Sequence, residues 1–236
     1  MSAPTRFPSG VTTVAKSNAL GMYGLPDPTA WHTYFNDFLT YVAGDWTVTE
    51  VGTGSRALTD VSGGALLITN GAADNDSNQL QKVGESFLLA AGKKAFFKAR
   101  FKVSDATQSD FLIGLAVTDT TLQDAVSGAG VTDGIFFNKD DGDDLLDFNV
   151  QKNATTGQTR AAGVATVVSD TFLTVAWYFD GVSGVQYYVD GVHKGTLDGT
   201  STYLPDTELT VSFAIQNGEA VAKTMTLDYI FAALER

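Results

Sequence analysis

The sequence has no cysteine and only two histidines, His32 and His193. Without thiols, disulfide bonds, cysteine nucleophiles and cysteine-ligated metals are excluded. A serine hydrolase needs a histidine base, and the chain has no G-x-S-x-G turn to present a nucleophile. We therefore expect both histidines to be exposed or locally hydrogen-bonded. A zinc site is not expected from so few ligands.

Long apolar runs are absent as well. No stretch approaches the roughly 18 apolar residues of a membrane span, and the first residues lack the apolar segment typical of a signal peptide. The net charge is −12, from 15 basic and 27 acidic side chains. Because nucleic acids are bound by basic surfaces, this charge argues against a nucleic-acid partner. The sequence therefore predicts neither a nucleic-acid nor a membrane partner.

Paired glutamates are also lacking. A glycosidase needs two carboxylates beside the cleaved bond, which on a strand means acidic residues at i, i+2 or i+4 facing a cleft. The chain has five glutamates, no two of them within six residues of each other. The E-x-D-x-x-E run typical of retaining jelly-roll glucanases is absent. From this we predict no catalytic residues, no cofactor and no enzymatic activity.

Period-two alternation is the main pattern that the sequence does contain. In residues 94–103, apolar side chains share one face and the other face holds Lys98, Arg100 and Lys102, with Phe96 as the exception. This alternation is typical of an antiparallel strand with one buried face.

Other stretches extend the same pattern. Residues 110–118 are apolar on both faces, which predicts a strand covered on both sides. Residues 223–234 predict a long central strand, with residues 34–41 pairing near it. The Asp190–Gly191 dipeptide supplies the positive φ angles of a two-residue hairpin turn. About a dozen short strands joined by Gly/Asp turns predict an all-β fold, a two-sheet antiparallel jelly-roll sandwich.

An acidic run surrounds Gly142 with Asp140, Asp141, Asp143 and Asp144. Both flanks have strand character, and Asp and Gly are the residues that tight turns favour. A calcium ion needs about six to eight converging oxygens, whereas adjacent aspartates on a hairpin point apart. We interpret the run as a solvated hairpin tip without a metal.

A second acidic stretch, residues 74–85, partly matches a calcium-binding loop. The residues at its positions 1, 3, 5 and 12 are Asp74, Asp76, Asn78 and Glu85. The glycine that such a loop needs is replaced by Gln79, and the flanks do not read as helices. We predict no metal here either.

The first 33 residues form a separate segment. They contain four of the five prolines and carry a net charge of +1, against −13 for residues 34–236. Proline blocks helix and pushes the preceding residue into extended backbone. We predict an extended N-terminal arm over residues 1–33 and a β-sandwich over residues 34–236. A disordered leader is the alternative, but the arm carries apolar anchors that we expect to bind a partner: Phe7, Met22, Tyr23, Leu25 and Trp31.

Exposed tryptophans could serve as stacking platforms for sugars. Trp46 and Trp177 lie in apolar strands and are expected in the core. Trp31 alone has a claim to exposure or to a partner's pocket.

The strand sequences at residues 97–119, 172–197 and 209–236 resemble the concanavalin A-like, or laminin-G-like, lectin sandwich. A Y-x-D-G hairpin, here Tyr188 to Gly191, and a long apolar strand near the end of the chain are common in that fold. The resemblance covers about residues 34–236. It concerns the fold, and a fold does not fix a function.

The opening at residues 6–38 and the ending at residues 203–236 resemble virion structural proteins of tailed bacteriophages, of the head-decoration or minor capsid type. This resemblance implies a capsid decoration protein on the exterior of the phage head, anchored by its arm. The implied partners are the major capsid protein or other virion subunits, with a homo-oligomer on the particle. No catalytic residues come with this family. The alternative is a carbohydrate-binding, lectin-like module, for example for host-surface glycans.

Overall fold

The computed structural model describes residues 28–59, 61–123, 130–153 and 159–236. These residues form sixteen β-strands and one short 3-10 helix at Ala43–Asp45. In chain order the strands are β1 (Trp31–Asn36), β2 (Trp46–Val51), β3 (Gly54–Leu58), β4 (Leu66–Asn70), β5 (Ser77–Lys82), β6 (Phe87–Leu88), β7 (Ala95–Val103), β8 (Ser109–Ala116), β9 (Gly134–Lys139), β10 (Leu145–Gln151), β11 (Thr159–Thr166), β12 (Leu173–Phe179), β13 (Gly184–Val189), β14 (Val192–Asp198), β15 (Glu208–Asn217) and β16 (Thr224–Glu235).

The strands make two antiparallel sheets. Sheet I has the order β14-β13-β12-β7-β16-β4-β3, and β1 pairs with the second half of β16. Sheet II has the order β11-β10-β9-β8-β15-β5-β2, and β6 pairs with the start of β15. Neighbours in each sheet are often far apart in sequence, as in a jelly roll. The predicted all-β, two-sheet sandwich is confirmed.

The core lies between the two sheets and follows the alternation seen in the sequence. In β7 every second residue from Ala95 to Val103 is buried, and the residues between them are half-buried on the outer face. Trp46 and Trp177 are 5% and 0% exposed, so their predicted core positions are confirmed. Burial of one such large apolar side chain contributes on the order of 1.5–3 kcal/mol to the stability of the fold.

Two pairing predictions are confirmed. The last strand, β16, is central, because it lies between β7 on one side and β4 and β1 on the other. In the β13–β14 hairpin, Asp190 and Gly191 have φ of 49° and 76°. Two positive φ angles in a two-residue loop match the twist of the flanking strands.

The acidic run is a hairpin between β9 and β10, as predicted, with Gly142 at φ +91°. Asp141, Gly142 and Asp143 at its tip are exposed, as predicted, and the tip is also hydrogen-bonded to the neighbouring residues. The Gly142 amide donates to the Thr107 carbonyl at 2.9 Å, and the Asp141 amide donates to the carboxylate of Asp110. Lys139 is fully buried behind the tip and donates to the Asp143 carbonyl at 2.8 Å. The aspartates thus surround a buried ammonium, which offsets part of their mutual repulsion.

The boundary between the arm and the sandwich at residue 33 stays a prediction. In the described part, Pro28, Thr29 and Ala30 form a turn and β1 begins at Trp31. Among the described residues no helix is long and apolar enough to cross a bilayer.

Candidate functional site

A cleft of about 280 Å³ opens between the edge strand β1 of sheet I and the β5–β6 connection of sheet II. The residues of this cleft that carry the argument below are His32, Tyr34, Lys82, Glu85, Ser86, Phe87 and Thr210. Its volume is close to the lower end of the roughly 300–1,000 Å³ range of small-molecule sites. The cleft therefore suits a small ligand or the end of a longer one.

His32 and Ser86 form the polar centre of the cleft. The Nε2 atom of His32 lies 3.1 Å from the Ser86 hydroxyl, and the imidazole packs on the Phe87 ring with centroids 4.9 Å apart. Burial and, secondarily, the charge of Arg236 lower the pKa of His32 below its ordinary value. The lowered pKa favours the neutral imidazole, which has one donor and one acceptor nitrogen to share between Ser86 and a ligand.

Local backbone bonds hold the β5–β6 connection in place. Gly84 has φ +86°, which lets the chain turn after β5. The Ser86 amide then donates to the Leu209 carbonyl at 3.0 Å, and the Thr210 hydroxyl donates to the Lys82 carbonyl at 2.7 Å. The backbone of the connection is thereby fixed to β15 on both sides of Gly84.

Charged groups of both signs complete the wall. An oxygen of the Glu85 carboxylate accepts a bond from the Thr118 amide at 2.6 Å. The Lys82 ammonium lies 3.6 Å from the Asp45 carboxylate. Burial raises the pKa of Tyr34 above its ordinary value, so its hydroxyl stays protonated and can donate. Residues with carboxylate, ammonium, hydroxyl and imidazole groups thus line one small space together with Phe87.

A second cleft of about 260 Å³ lies at another edge of the sandwich. Its charged pair is Lys152 and Asp206, whose Nζ and Oδ2 atoms are 2.6 Å apart, and Ser201 lies on its rim. The rest of its lining is mainly apolar, including Leu89, Phe179 and Leu204. It offers fewer convergent hydrogen-bonding side chains than the His32 cleft.

The outer face of sheet II carries a row of polar side chains on β10. Asp147, Asn149 and Gln151 alternate with core residues, at the i, i+2, i+4 spacing that paired glycosidase carboxylates would have. Two of the three are amides, and Asp147 pairs with Arg160. An amide cannot serve as the acid, base or nucleophile of that chemistry. All three residues are at most 4% exposed.

Residues 117–122 lie over the neighbouring part of this face. Gln81 of β5 accepts a bond from the Asp119 amide at 2.8 Å and donates to the Val117 carbonyl at 2.9 Å. Gln79 accepts a bond from the Leu122 amide at 3.0 Å. Leu122 also joins a second buried apolar cluster: Leu112, Ala116, Val131, Phe136 and Ala214. The predicted covering of residues 110–118 on both sides is thus confirmed for residues 111–116, which are buried, whereas Thr118 is exposed.

The other candidate residues predicted from the sequence are the apolar residues of the N-terminal arm. Phe7, Met22, Tyr23 and Leu25 lie outside the described residues. Trp31 is half-buried, opposite Glu235 in β16, and does not line the cleft. Their predicted role in partner binding stays a prediction.

The residues of the calcium-like stretch do not converge. Asn78 is buried in β5, where its amide donates to Asn70 at 2.9 Å. The Asp76 carboxylate accepts a bond from the Ala73 amide at 3.2 Å, and Glu85 lies in the cleft. Within the described ranges, no three acidic or histidine side chains are grouped closely enough to hold a metal ion.

Ser86, Lys82 and Thr210 were missed by sequence reasoning. Ser86 is 54 residues from His32 in the chain, and Thr210 belongs to a third segment. No local spacing relates these residues, so only the pairing of β1 with β16 and of β5 with β15 brings them together.

No protein-family model matches the chain, and no curated protein matches it. Solved structures with the same fold do. An endo-1,3-beta-glucanase from Streptomyces sioyaensis matches with a TM-score of 0.63 and 13% identity over 88% of this chain and 97% of that one. Peanut lectin matches with a TM-score of 0.55 and 13% identity over 87% of this chain and 96% of that one. An endo-beta-1,4-glucuronan lyase from the fungus Trichoderma reesei matches with a TM-score of 0.57 and 13% identity over 85% of this chain and 94% of that one.

These neighbours confirm the concanavalin A-like, lectin-type jelly-roll fold. They also correct one prediction. The sequence predicted no enzyme, because it lacks one glucanase motif and paired glutamates. The prediction is wrong, because the absence of that motif and of paired glutamates does not exclude an enzyme of this fold. A glucanase and a lyase share the fold of this chain. At 13% identity the fold is all that is shared, and lectins share it too.

Proposed function

We propose that the protein binds a carbohydrate in the His32 cleft. The observation that carries this proposal is the convergence of His32, Ser86 and Glu85 on one small space floored by the Phe87 ring. The lectin-type fold supports it, because its solved neighbours include a lectin and two enzymes named for glycan substrates. The comparisons favour this alternative over the virion interpretation.

The chemistry of the cleft suits a sugar. Sugar hydroxyls both donate and accept hydrogen bonds, and the cleft offers partners of both kinds. The Glu85 carboxylate accepts, the Lys82 ammonium donates, and the Ser86 hydroxyl does either. The apolar face of a pyranose can pack on the imidazole of His32, which the Phe87 ring holds in position.

The first experiment is a binding screen of the full chain against defined oligosaccharides, followed by calorimetry on the best ligand. The panel includes β-1,3-glucan and β-1,4-glucuronan fragments. We expect Ser86→Ala to weaken binding about 3- to 10-fold, the effect of one lost hydrogen bond. His32→Ala, which removes the ring as well, should weaken it more.

Ser201→Ala is the matched control, because it removes a serine hydroxyl from the rim of the other cleft. It should leave affinity unchanged. Equal losses for Ser86→Ala and Ser201→Ala would contradict the proposal, as would no binding to any oligosaccharide. Chain-length analysis of the bound oligosaccharide after incubation shows whether binding is followed by cleavage.

The finer sequence interpretation, a capsid decoration protein attached through its arm, stays a prediction. Its test is mass spectrometry of purified phage particles, with detection of this chain at a fixed ratio to the major capsid protein.

A further inference from the structure

The hydrogen bond between Ser86 and His32 has the geometry of a nucleophile and its base. The Oγ atom of Ser86 lies 3.1 Å from the Nε2 atom of His32. This is within the roughly 2.6–3.2 Å at which a histidine can take the proton of a serine hydroxyl. Such pairs are identified by geometry and roles and not by their order in the chain. The missing G-x-S-x-G turn therefore does not exclude this one.

Both members of the pair can be reached by a ligand. Ser86 is exposed on the β5–β6 connection, and His32 is half-buried on β1. They line the same cleft of about 280 Å³. A small molecule in the cleft therefore has access to the Ser86 hydroxyl, which a serine buried in the core would not allow.

The surroundings of His32 hold the imidazole in place and favour its neutral form. The Phe87 ring packs on it with centroids 4.9 Å apart. Burial and, secondarily, the charge of Arg236 lower the pKa of His32, and a general base must be unprotonated to accept a proton. Among the described residues, Ser86 is the one side chain hydrogen-bonded to His32. The pair is thus a dyad, without the carboxylate that completes a triad.

Tyr34 brings a hydrogen-bond donor to the same cleft. It lies two residues after His32 on β1, so both side chains are on one face of the strand. Its oxygen accepts a bond from the Asn36 amide at 3.2 Å, which leaves the hydroxyl hydrogen for a ligand. Burial raises the pKa of Tyr34, so this hydrogen is retained. A hydroxyl of this kind can stabilise the negative charge that develops on a carbonyl oxygen during acyl transfer.

We propose that Ser86 and His32 are a catalytic dyad that cleaves an ester, with the Tyr34 hydroxyl donating to the carbonyl oxygen. The substrate class is a sugar that carries a small O-acyl group. The sugar as the alcohol part rests on the carbohydrate binding proposed above, whereas the acyl chemistry rests on the dyad.

The reaction has two halves. The Ser86 Oγ atom bonds to the carbonyl carbon of the ester, and its proton passes to His32 Nε2. The bond from that carbon to the sugar oxygen then breaks, the sugar oxygen takes the proton from His32, and the acyl group stays on Ser86. Water attacks the acyl carbon while His32 accepts its proton and returns it to Ser86. One ester and one water thereby give one alcohol and one carboxylic acid.

The test uses the full chain and two probes that contain no sugar. A fluorophosphonate reacts with an activated serine, and the modified peptide is identified by mass spectrometry. Hydrolysis of p-nitrophenyl acetate is followed by absorbance. We expect the label on Ser86 and ester hydrolysis above the rate in buffer. The rate of labelling should rise with pH as His32 loses its proton, with a midpoint below the ordinary value of 6.5, because the pKa of His32 is lowered.

Three variants test the three roles. Ser86→Ala should abolish labelling. His32→Gln keeps a hydrogen-bonding side chain but cannot act as the base, and it should slow labelling about 100-fold or more. Tyr34→Phe removes only the hydroxyl and should slow ester hydrolysis about 100-fold, the effect of one lost donor to the oxyanion. Ser201→Ala, on the rim of the other cleft, is the control and should keep both signals. Thermal unfolding of each variant verifies that its fold is intact.

Three results would overturn the inference: no label or a label on another residue, equal rates for His32→Gln and the unmodified chain, or a rate that does not change between pH 5 and 8. The proposed function fails separately. Oligosaccharide binding without labelling of Ser86 would leave a binding cleft and remove the dyad. Labelling of Ser86 without oligosaccharide binding would support the dyad and remove the sugar as its substrate.

Discussion

The outer faces of the two sheets are built in opposite ways. On sheet II the face is polar and buried: Gln79 and Gln81 are at most 4% exposed, because residues 117–122 lie over them. On sheet I the outer face combines half-buried aromatic rings with charged pairs, and Phe35 of β1 is 61% exposed. Polar groups can be buried when the covering chain satisfies their hydrogen bonds. Residues 117–122 do this for part of sheet II, whereas among the described residues Phe35 of sheet I stays largely exposed.

The largest expected difference between the two faces concerns phenylalanines. Phe136 on sheet II is fully buried in the second apolar cluster, whereas Phe35 on sheet I is largely exposed. Phe136→Ala should lower the free energy of unfolding by about 3–5 kcal/mol through lost burial and a cavity. Phe35→Ala should change it by less than about 0.5 kcal/mol. Urea unfolding followed by tryptophan fluorescence measures both, and similar losses would mean that the sheet II cluster is not a second core.

The next largest loss in the free energy of unfolding is expected for a buried glutamine. Gln81 binds the backbone of residues 117 and 119 and the Ser212 hydroxyl, the last at 2.9 Å. Gln81→Ala leaves those buried groups without partners and should cost about 1–3 kcal/mol. On sheet I, Gln186 accepts a bond from the Tyr188 hydroxyl at a half-buried site. Gln186→Ala should cost less than about 0.5 kcal/mol, and a reversed order of the two losses would contradict the comparison.

A carboxyl at the end of the sheet II face should make stability depend on pH. Burial, followed by the charge of Asp141, raises the pKa of Asp110 to about 6. The folded protein therefore holds this proton more tightly than the unfolded chain, whose carboxyl has the ordinary pKa of 3.8. The stabilising contribution is complete below pH 3.8 and is lost as the pH rises through 6.

Asp110→Asn should consequently stabilise the protein at pH 8 by about 1 kcal/mol, a value reduced for the partial exposure of the carboxyl. At pH 4 it should have little effect. Thermal unfolding at the two pH values measures this, and Asp198→Asn, at an exposed position, is the control. An equal effect of Asp110→Asn at both pH values would show that the carboxyl is not the titrating group.

Much of the fold could be predicted from sequence, because strands and turns are encoded locally. The alternation in residues 94–103 and the Asp190–Gly191 turn identify β7 and the β13–β14 hairpin without any tertiary information. Phe96 is the exception to that alternation, and it lies half-buried on the outer face of sheet I with its ring 5.8 Å from that of Phe231.

The candidate site could not be predicted, because its members meet only through distant strand pairing. His32 and Ser86 share no local pattern. The buried Lys139 gave no signal either, since a lysine beside four aspartates looks like part of a solvated turn. The alternation of Asp147, Asn149 and Gln151 with apolar residues was a usable signal for a polar outer face, although it contains no pair of carboxylates.

The smallest expected effect concerns the charged part of the sheet I face. Arg100 is 39% exposed, stacks on Phe172 and pairs with Asp228. Arg100→Lys keeps the charge but loses the planar stacking and the forked donors. Exposed ion pairs and cation–π contacts each contribute about 0.5–1 kcal/mol at most, so the substitution should cost about 0.5 kcal/mol. Thermal unfolding at low and high salt separates the contribution of the ion pair from that of the stacking, because salt screens the ion pair but leaves the stacking largely intact. A loss of several kcal/mol would mean that this face is as much a part of the stable core as the buried face of sheet II, and the contrast between the two sheets would no longer hold.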